Sequence, residues 1–134
     1  MTKKMVIASD LRAARKLEEA LLREVSRHGY PEAAAFAIKL ALEEGLNNAI
    51  KHGNGYDPTK KVEIDFDIDP KRAVITITDQ GRGFNPVDVP DPTTDENLEK
   101  PCGRGIMLMR AYMDEVRFSQ KGNQVYMLKW NTKN

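Results

Sequence analysis

The stretch that most constrains this chain is Leu40–Asn54, LALEEGLNNAIKHGN. It forms the C-terminal half of a helix that the sequence predicts from Pro31 to His52. Pro31 suits a first helical turn, and Gly53 with Asn54 supplies a stop. Ala34, Ala37, Ala41, Glu44 and Asn48 follow one another at three- and four-residue steps, so they share one helix face. On a stripe patterned for burial, small apolar groups give way to a carboxylate and an amide one turn apart. Glu43 points elsewhere, because a five-residue step turns the helix by roughly 140°. Lys51 and His52 carry the polar patch one turn further. A carboxylate followed one turn later by an amide oxygen can orient a proton acceptor and hold a metal-bound phosphate. The same pair can equally be solvated, with Glu44 pairing to a lysine or arginine.

The rest of the chain supplies the layer that such a helix needs. Lys4–Ala8 reads as a short strand, and Ser9 or Asp10 can cap a helix whose apolar face is Leu11, Ala14, Leu17, Leu21 and Val25. Val62, Ile64, Phe66 and Ile68 alternate with Glu63, Asp65, Asp67 and Asp69, which is a strand with one wet face. Asp69-Pro70-Lys71 turns it into a partner strand, Ala73–Thr78, where Ile75, Ile77 and Asp79 share a face. Residues Phe84–Pro101 hold four prolines and five acidic residues without periodicity, and read as a mobile segment. A helix is expected over Gly103–Met113. A closing hairpin follows, Glu115–Ser119 and Gln124–Trp130 across Lys121-Gly122-Asn123. The expected class is α+β: a two-layer α/β sandwich with helices on one face of a mixed, mostly antiparallel sheet.

Length and charge narrow the function. A chain of 134 residues reads as one domain, residues 1–134, and can bury roughly two-thirds of its unfolded surface. Basic and acidic residues number 21 and 20, so there is no electrostatic case for direct nucleic-acid binding or for an anionic membrane. No apolar run approaches the length of a membrane span, and no signal peptide is visible. The single cysteine, Cys102, excludes an intramolecular disulfide and suits a reducing, cytoplasmic setting.

Two glycine motifs bracket the mobile segment. Asp79-Gln80-Gly81-Arg82-Gly83-Phe84 ends the buried-face strand, where a carboxylate facing the core must find a donor or suffer several kcal/mol of desolvation. An adenine amino group is one such donor, and a plain glycine turn with a surface aspartate is the other reading. Gly103-Arg104-Gly105 opens the following helix, where unobstructed N–H groups suit phosphate. A loop needing positive φ gives the same pattern, and Arg104 can face a terminal phosphate or solvent.

Taken in order, Glu-xxx-Asn on a helix, Asp-x-Gly-x-Gly after a strand and Gly-x-Gly before a helix are more specific than any one of them. The runs EEGLNNAIKHGN, ITDQGRGF and GRGIMLMRAYMDEV resemble the Bergerat ATP-binding domain shared by gyrase, heat-shock chaperones, histidine kinases and mismatch-repair ATPases. Within that fold, the size is similar to the serine-protein kinase anti-sigma factors of bacterial stress and sporulation control. The resemblance implies Glu44 as general base or hydroxyl orienter and Asn48 as ligand to Mg2+. It implies Lys51 near phosphate, Asp79 on the adenine amino group, and Gly81 and Gly83 beneath the ring. It further implies an ATP lid at about 84–102, with Gly103, Arg104 and Gly105 at the phosphates. The implied protein is a homodimeric, ATP-dependent serine/threonine kinase. Its partners would be a sigma factor and an anti-sigma-factor antagonist, the latter its substrate. The alternative is a nucleotide-gated anti-sigma binding module that transfers no phosphate. Two departures from the pattern stand out. Asn123 and Gln124 occupy the closing-strand region where many relatives carry threonine, and no helix with a phosphoacceptor histidine precedes the domain.

Overall fold

The computed structural model describes residues 2–81 and 101–131. The expected contacts of Gly83 and nearly all of the expected lid fall outside these residues. Five strands, β1 (Lys3–Ala8), β2 (Lys61–Ile68), β3 (Arg72–Thr78), β4 (Glu115–Phe118) and β5 (Gln124–Trp130), form one sheet in the order β1-β2-β3-β5-β4. All four ladders are antiparallel. Among the described residues the sheet therefore has no parallel pair, and the mixed component of the expected sheet is absent. The physical reason is connectivity. β2–β3 and β4–β5 are hairpins, and β1 runs back along β2 after the two intervening helices.

Three helices complete the fold: α1 (Leu11–Arg27), α2 (Glu32–Asn47) and α3 (Pro101–Tyr112). Asp10 caps α1, accepting from the Arg12 N–H at 2.8 Å. Ala14, Leu17, Leu21 and Val25 of α1 are buried as the spacing requires, whereas Leu11 stays exposed at the helix start. Ala34, Ala37 and Ala41 bury the small stripe of α2.

These helices cover the face carried by Ile64, Ile75, Ile77 and Met127. Ile64 stands opposite Ile77, Phe66 opposite Ile75, and Ile75 opposite Met127, so the alternation read from sequence becomes a continuous apolar floor. Leu17, Leu21, Ile38, Leu42, Leu46 and Met109 fill the space above it with almost no exposure. Truncating any of these large side chains to alanine should destabilise the fold by about 2–5 kcal/mol.

The predicted helix Pro31–His52 departs from α geometry after Asn47. Residues Asn48–Gly53 form a π-helical turn, closed by the Asn54 N–H donating to the Ala49 carbonyl at 2.8 Å. A π segment accommodates an extra residue per turn, and such bulges concentrate at functional sites. Here the widened turn brings Gly53 against the end of β3. No helix among the described residues is long and apolar enough to cross a membrane.

Candidate functional site

A cavity opens between the polar end of α2, the π turn, α3 and the end of β3. Its lining includes Asn48, His52, Gly53, Asp79, Met109 and Asn123. Its walls are largely apolar, with a few polar groups converging at each end, which is the usual make-up of a small-molecule site.

At one end stands Asp79, placed by β3. Its backbone N–H donates to the Asn123 carbonyl at 2.9 Å, and the Asn123 side-chain amide donates back to the Asp79 carbonyl at 3.1 Å. The Gly81 N–H donates to Asp79 Oδ1 at 2.8 Å, while Oδ2 accepts no hydrogen bond among the described residues. Burial raises the Asp79 carboxyl above the ordinary aspartate range. The Gly81 N–H and the charges of Lys121 and Lys60 oppose that shift. A carboxylate held this way keeps one oxygen to offer an outside donor.

Glycine is required where the π turn meets this carboxylate. A Cβ on Gly53 would overlap the Asp79 carboxylate, and one on Gly81 would overlap the Gly53 carbonyl. Gly81 thus lets two backbones pack directly on one another. The sequence reading noted Gly53 only as a helix stop. Its nearness to the Asp79 carboxylate has no signal in local spacing.

Beside the cavity, Glu44 of α2 and Asn48 of the π turn meet α3. A Cβ on Gly105 would stand 3.0 Å from Glu44 Oε2 and 3.2 Å from Asn48 Nδ2. The first and third motifs therefore do converge, and the missing side chain of Gly105 is the space between them. Asn48 Nδ2 is buried and has no hydrogen-bond partner among the described residues, which is uncommon for a buried amide. Burial raises the Glu44 carboxyl above the ordinary glutamate range. The neighbouring Glu43 charge adds to this, while Arg104 and Lys51 pull it down. Lys51 and Arg104, both exposed, thus approach Glu44 from two different elements.

The helix expected from Gly103 begins two residues earlier, at Pro101, so Pro101 and Cys102 belong to α3 rather than to the lid segment. Proline is at home in a first helical turn. Gly103 then falls among the first residues of α3, whose N–H groups lack intrahelical acceptors, and Gly105 lies one step further in. Glu43 faces away from the cavity as the 140° rotation requires, towards Glu18 of α1.

Against this geometry, three comparisons with known proteins agree. The histidine kinase-like ATPase domain family matches residues 7–129. An anti-sigma F factor of Geobacillus is 36% identical over 102 residues, covering 72% of this chain and 69% of that protein. An anti-sigma F factor of Anoxybacillus flavithermus is 37% identical over 90 residues, covering 65% of this chain and 61% of its own length. The serine-protein kinase RsbW of Bacillus licheniformis is 33% identical, covering 69% of this chain and 61% of that protein. The chain thus spans about three-fifths of the length of the latter two relatives. In fold, it is similar to a crystal structure of the RsbU and RsbW domains of a Mycobacterium tuberculosis protein. That likeness has a TM-score of 0.61 and 18% identity, and covers 98% of this chain and 31% of that one. A family model matching residues 7–129, sequence shared with an anti-sigma F factor over most of its length and a shared fold make this chain a member of the histidine kinase-like ATPase domain family, alongside anti-sigma factors.

Proposed function

We propose that this protein is a cytoplasmic, homodimeric anti-sigma factor that uses ATP to phosphorylate a serine or threonine of an anti-sigma-factor antagonist. The observation that carries this reading is the meeting of Glu44, Asn48 and Gly105 beside a cavity whose lining takes in both Asn48 and Asp79. Binding alone needs no proton acceptor at the phosphate end. The relatives that are named as anti-sigma factors and as a serine-protein kinase support both halves of the reading.

In this mechanism Asp79 reads the adenine amino group and the cavity wall takes the base. The N-terminal N–H groups of α3, Lys51 and Arg104 stabilise the phosphates. The hydroxyl oxygen of the antagonist attacks the γ-phosphorus while the bond to the β–γ bridging oxygen breaks and ADP departs. The hydroxyl proton passes to the Glu44 carboxylate. Its raised affinity for protons suits a general base working near neutrality. Most of the acceleration comes from alignment and from charge stabilisation by groups already in place.

Asn48 fits as a magnesium ligand. It has a hard amide oxygen, it is half-buried beside Glu44, and its nitrogen finds no partner among the described residues. No group of three acidic, histidine or cysteine side chains that could hold a metal occurs among the described residues. Asn48 would hold the ion through its amide oxygen. When bound, magnesium supplies neutralisation of charge on the transferring group.

Mixing the protein with radiolabelled ATP, magnesium and the candidate antagonist tests the proposal. Label should move to the antagonist, and Glu44→Ala should abolish that transfer while ATP still binds. Binding without any transfer by the unaltered protein would overturn the kinase reading and leave a nucleotide-gated sigma-factor binder.

A further inference from the structure

Asn54 lies outside the lining of the cavity, yet it is the most fully satisfied polar side chain near it. It is 3% exposed and immediately follows the π turn. Its Nδ2 donates to Ser9 Oγ at 2.9 Å and to the Lys61 carbonyl at 3.0 Å, which ties the turn to the end of β1 and the start of β2. Ser9 Oγ in turn donates to the Lys60 carbonyl at 2.7 Å. The remaining Asn54 atom, Oδ1, accepts from the Gln80 N–H at 2.8 Å. That N–H belongs to the peptide that leaves Asp79. A second tie fixes the same peptide's neighbourhood, since Gln80 Oε1 accepts from the Lys61 N–H at 2.5 Å. On the opposite side Asn123 grips both the N–H and the carbonyl of Asp79.

We propose that Asn54 is a positioning residue for nucleobase selectivity: through the Gln80 N–H it fixes the direction in which the Asp79 carboxylate meets the base, without touching the nucleotide. The inference rests on the reading of Asp79 as the group that recognises the adenine amino group. The physical ground is that a hydrogen bond to a charged acceptor loses strength steeply with misalignment, whereas apolar contact with the ring does not. Loosening Asp79 should therefore cut selectivity more than overall affinity. A buried amide that only stabilised the fold would weaken binding of all nucleotides alike.

The test compares dissociation constants for ATP and inosine triphosphate, which carries a carbonyl where ATP has the amino group. The unaltered protein should prefer ATP by about tenfold or more, the range expected for one hydrogen bond to a charged group. Asn54→Ala should bring that preference below about threefold. Ser9→Ala breaks two bonds of the same buried network but leaves Oδ1 on Gln80, and its preference should match the unaltered protein. Asn54→Asp keeps an oxygen facing the Gln80 N–H and should retain the preference even where its melting temperature falls. Asn54→Asp also serves if Asn54→Ala does not fold: retained preference supports the proposal and lost preference overturns it. Equal preference in Asn54→Ala and the unaltered protein would overturn it too. An unaltered protein that shows no preference at all would instead refute adenine recognition by Asp79.

Discussion

The two ends of the cavity are built on opposite principles. At the proposed base end the N–H and carbonyl of Asp79 and the N–H groups of Gln80 and Gly81 are all engaged. Asn123 holds one flank, Asn54 the other through Gln80, and Gly81 holds one carboxylate oxygen. At the phosphate end a buried amide nitrogen on Asn48 has no partner among the described residues, and a glycine leaves space between the carboxylate and the helix that closes over it. The first end is held by its own hydrogen bonds, as the proposed recognition of a flat, invariant ring requires. The second leaves polar groups to be satisfied by the ligand itself, as suits a group that changes its bonding during reaction.

The sharpest way to break this comparison is at Glu44. Glu44→Gln should lower phosphoryl transfer by about 10²–10⁴-fold while ATP affinity stays within a few-fold, read by single-turnover labelling and calorimetry. On the proposed mechanism the same carboxylate sets the acid limb of the unaltered protein's activity. Because burial raises its proton affinity, transfer should begin to fail on acidification at a pH above the ordinary glutamate range. An acid limb at an unshifted position would argue against Glu44 as the base.

Next in size is Asp79→Asn at the rigid end. Loss of a charge-assisted hydrogen bond should weaken ATP binding by about 10–100-fold. Chemistry on bound ATP should remain comparatively intact, which saturating and subsaturating rates would separate. Equal damage to both parameters would mean that the two ends are mechanically coupled.

A smaller and more diagnostic effect belongs to Gly105→Ala. Alanine favours a helix over glycine by about 1 kcal/mol, so thermal stability should hold or rise. The new methyl would crowd Glu44 and Asn48, which must give by a few tenths of an ångström. ATP affinity should fall by roughly tenfold. Stability and binding moving in opposite directions would mark the open space as functional.

The smallest effect lies on the far side of α2, and it calibrates the others. Burial, then a hydrogen bond that protonated Glu18 donates to Glu43, and the Glu43 charge, push the Glu18 carboxyl from 4.5 up to about 7. A carboxyl raised on folding binds its proton more tightly in the native state. Its stabilising contribution is thus complete below pH 4.5 and is lost as the pH climbs towards about 7. Glu18→Gln should therefore melt higher than the unaltered protein at about pH 8, with the gap gone by about pH 4. Because Glu18 is largely solvent-screened, the rise should be only a few degrees. A gap that widened on acidification would invert the assigned sign.

Much of this was legible in the sequence. The alanine stripe turning into Glu44 and Asn48 and the Val62–Ile68 alternation fixed the two layers and the helix face towards the sheet. The motifs also named residues that the fold brings near one another: Glu44 and Asn48 lie against Gly105, and Asn48 and Asp79 line one cavity. What periodicity could not carry were interactions across elements. The switch from α to π geometry at Asn48 leaves the local composition unchanged. Asn54 reads as an ordinary stop residue until Ser9, Lys61 and Gln80, distant along the chain, are brought around it. Asn123 reads as a departure from a threonine pattern, yet it grips Asp79 from the hairpin. The pairing of Glu18 with Glu43 depends on how α1 crosses α2, which neither helix encodes alone.

The position of β3 in the sheet also bears on time as well as space. It is the middle strand, with β2 on one flank and β5 on the other, and it leads directly into Asp79. Its amide protons are thus barred from solvent unless the whole sheet comes apart, so they should be among the slowest in the molecule to exchange with deuterium. The Asp79 carboxylate, proposed to meet the base, is anchored to the part of the protein expected to let go last.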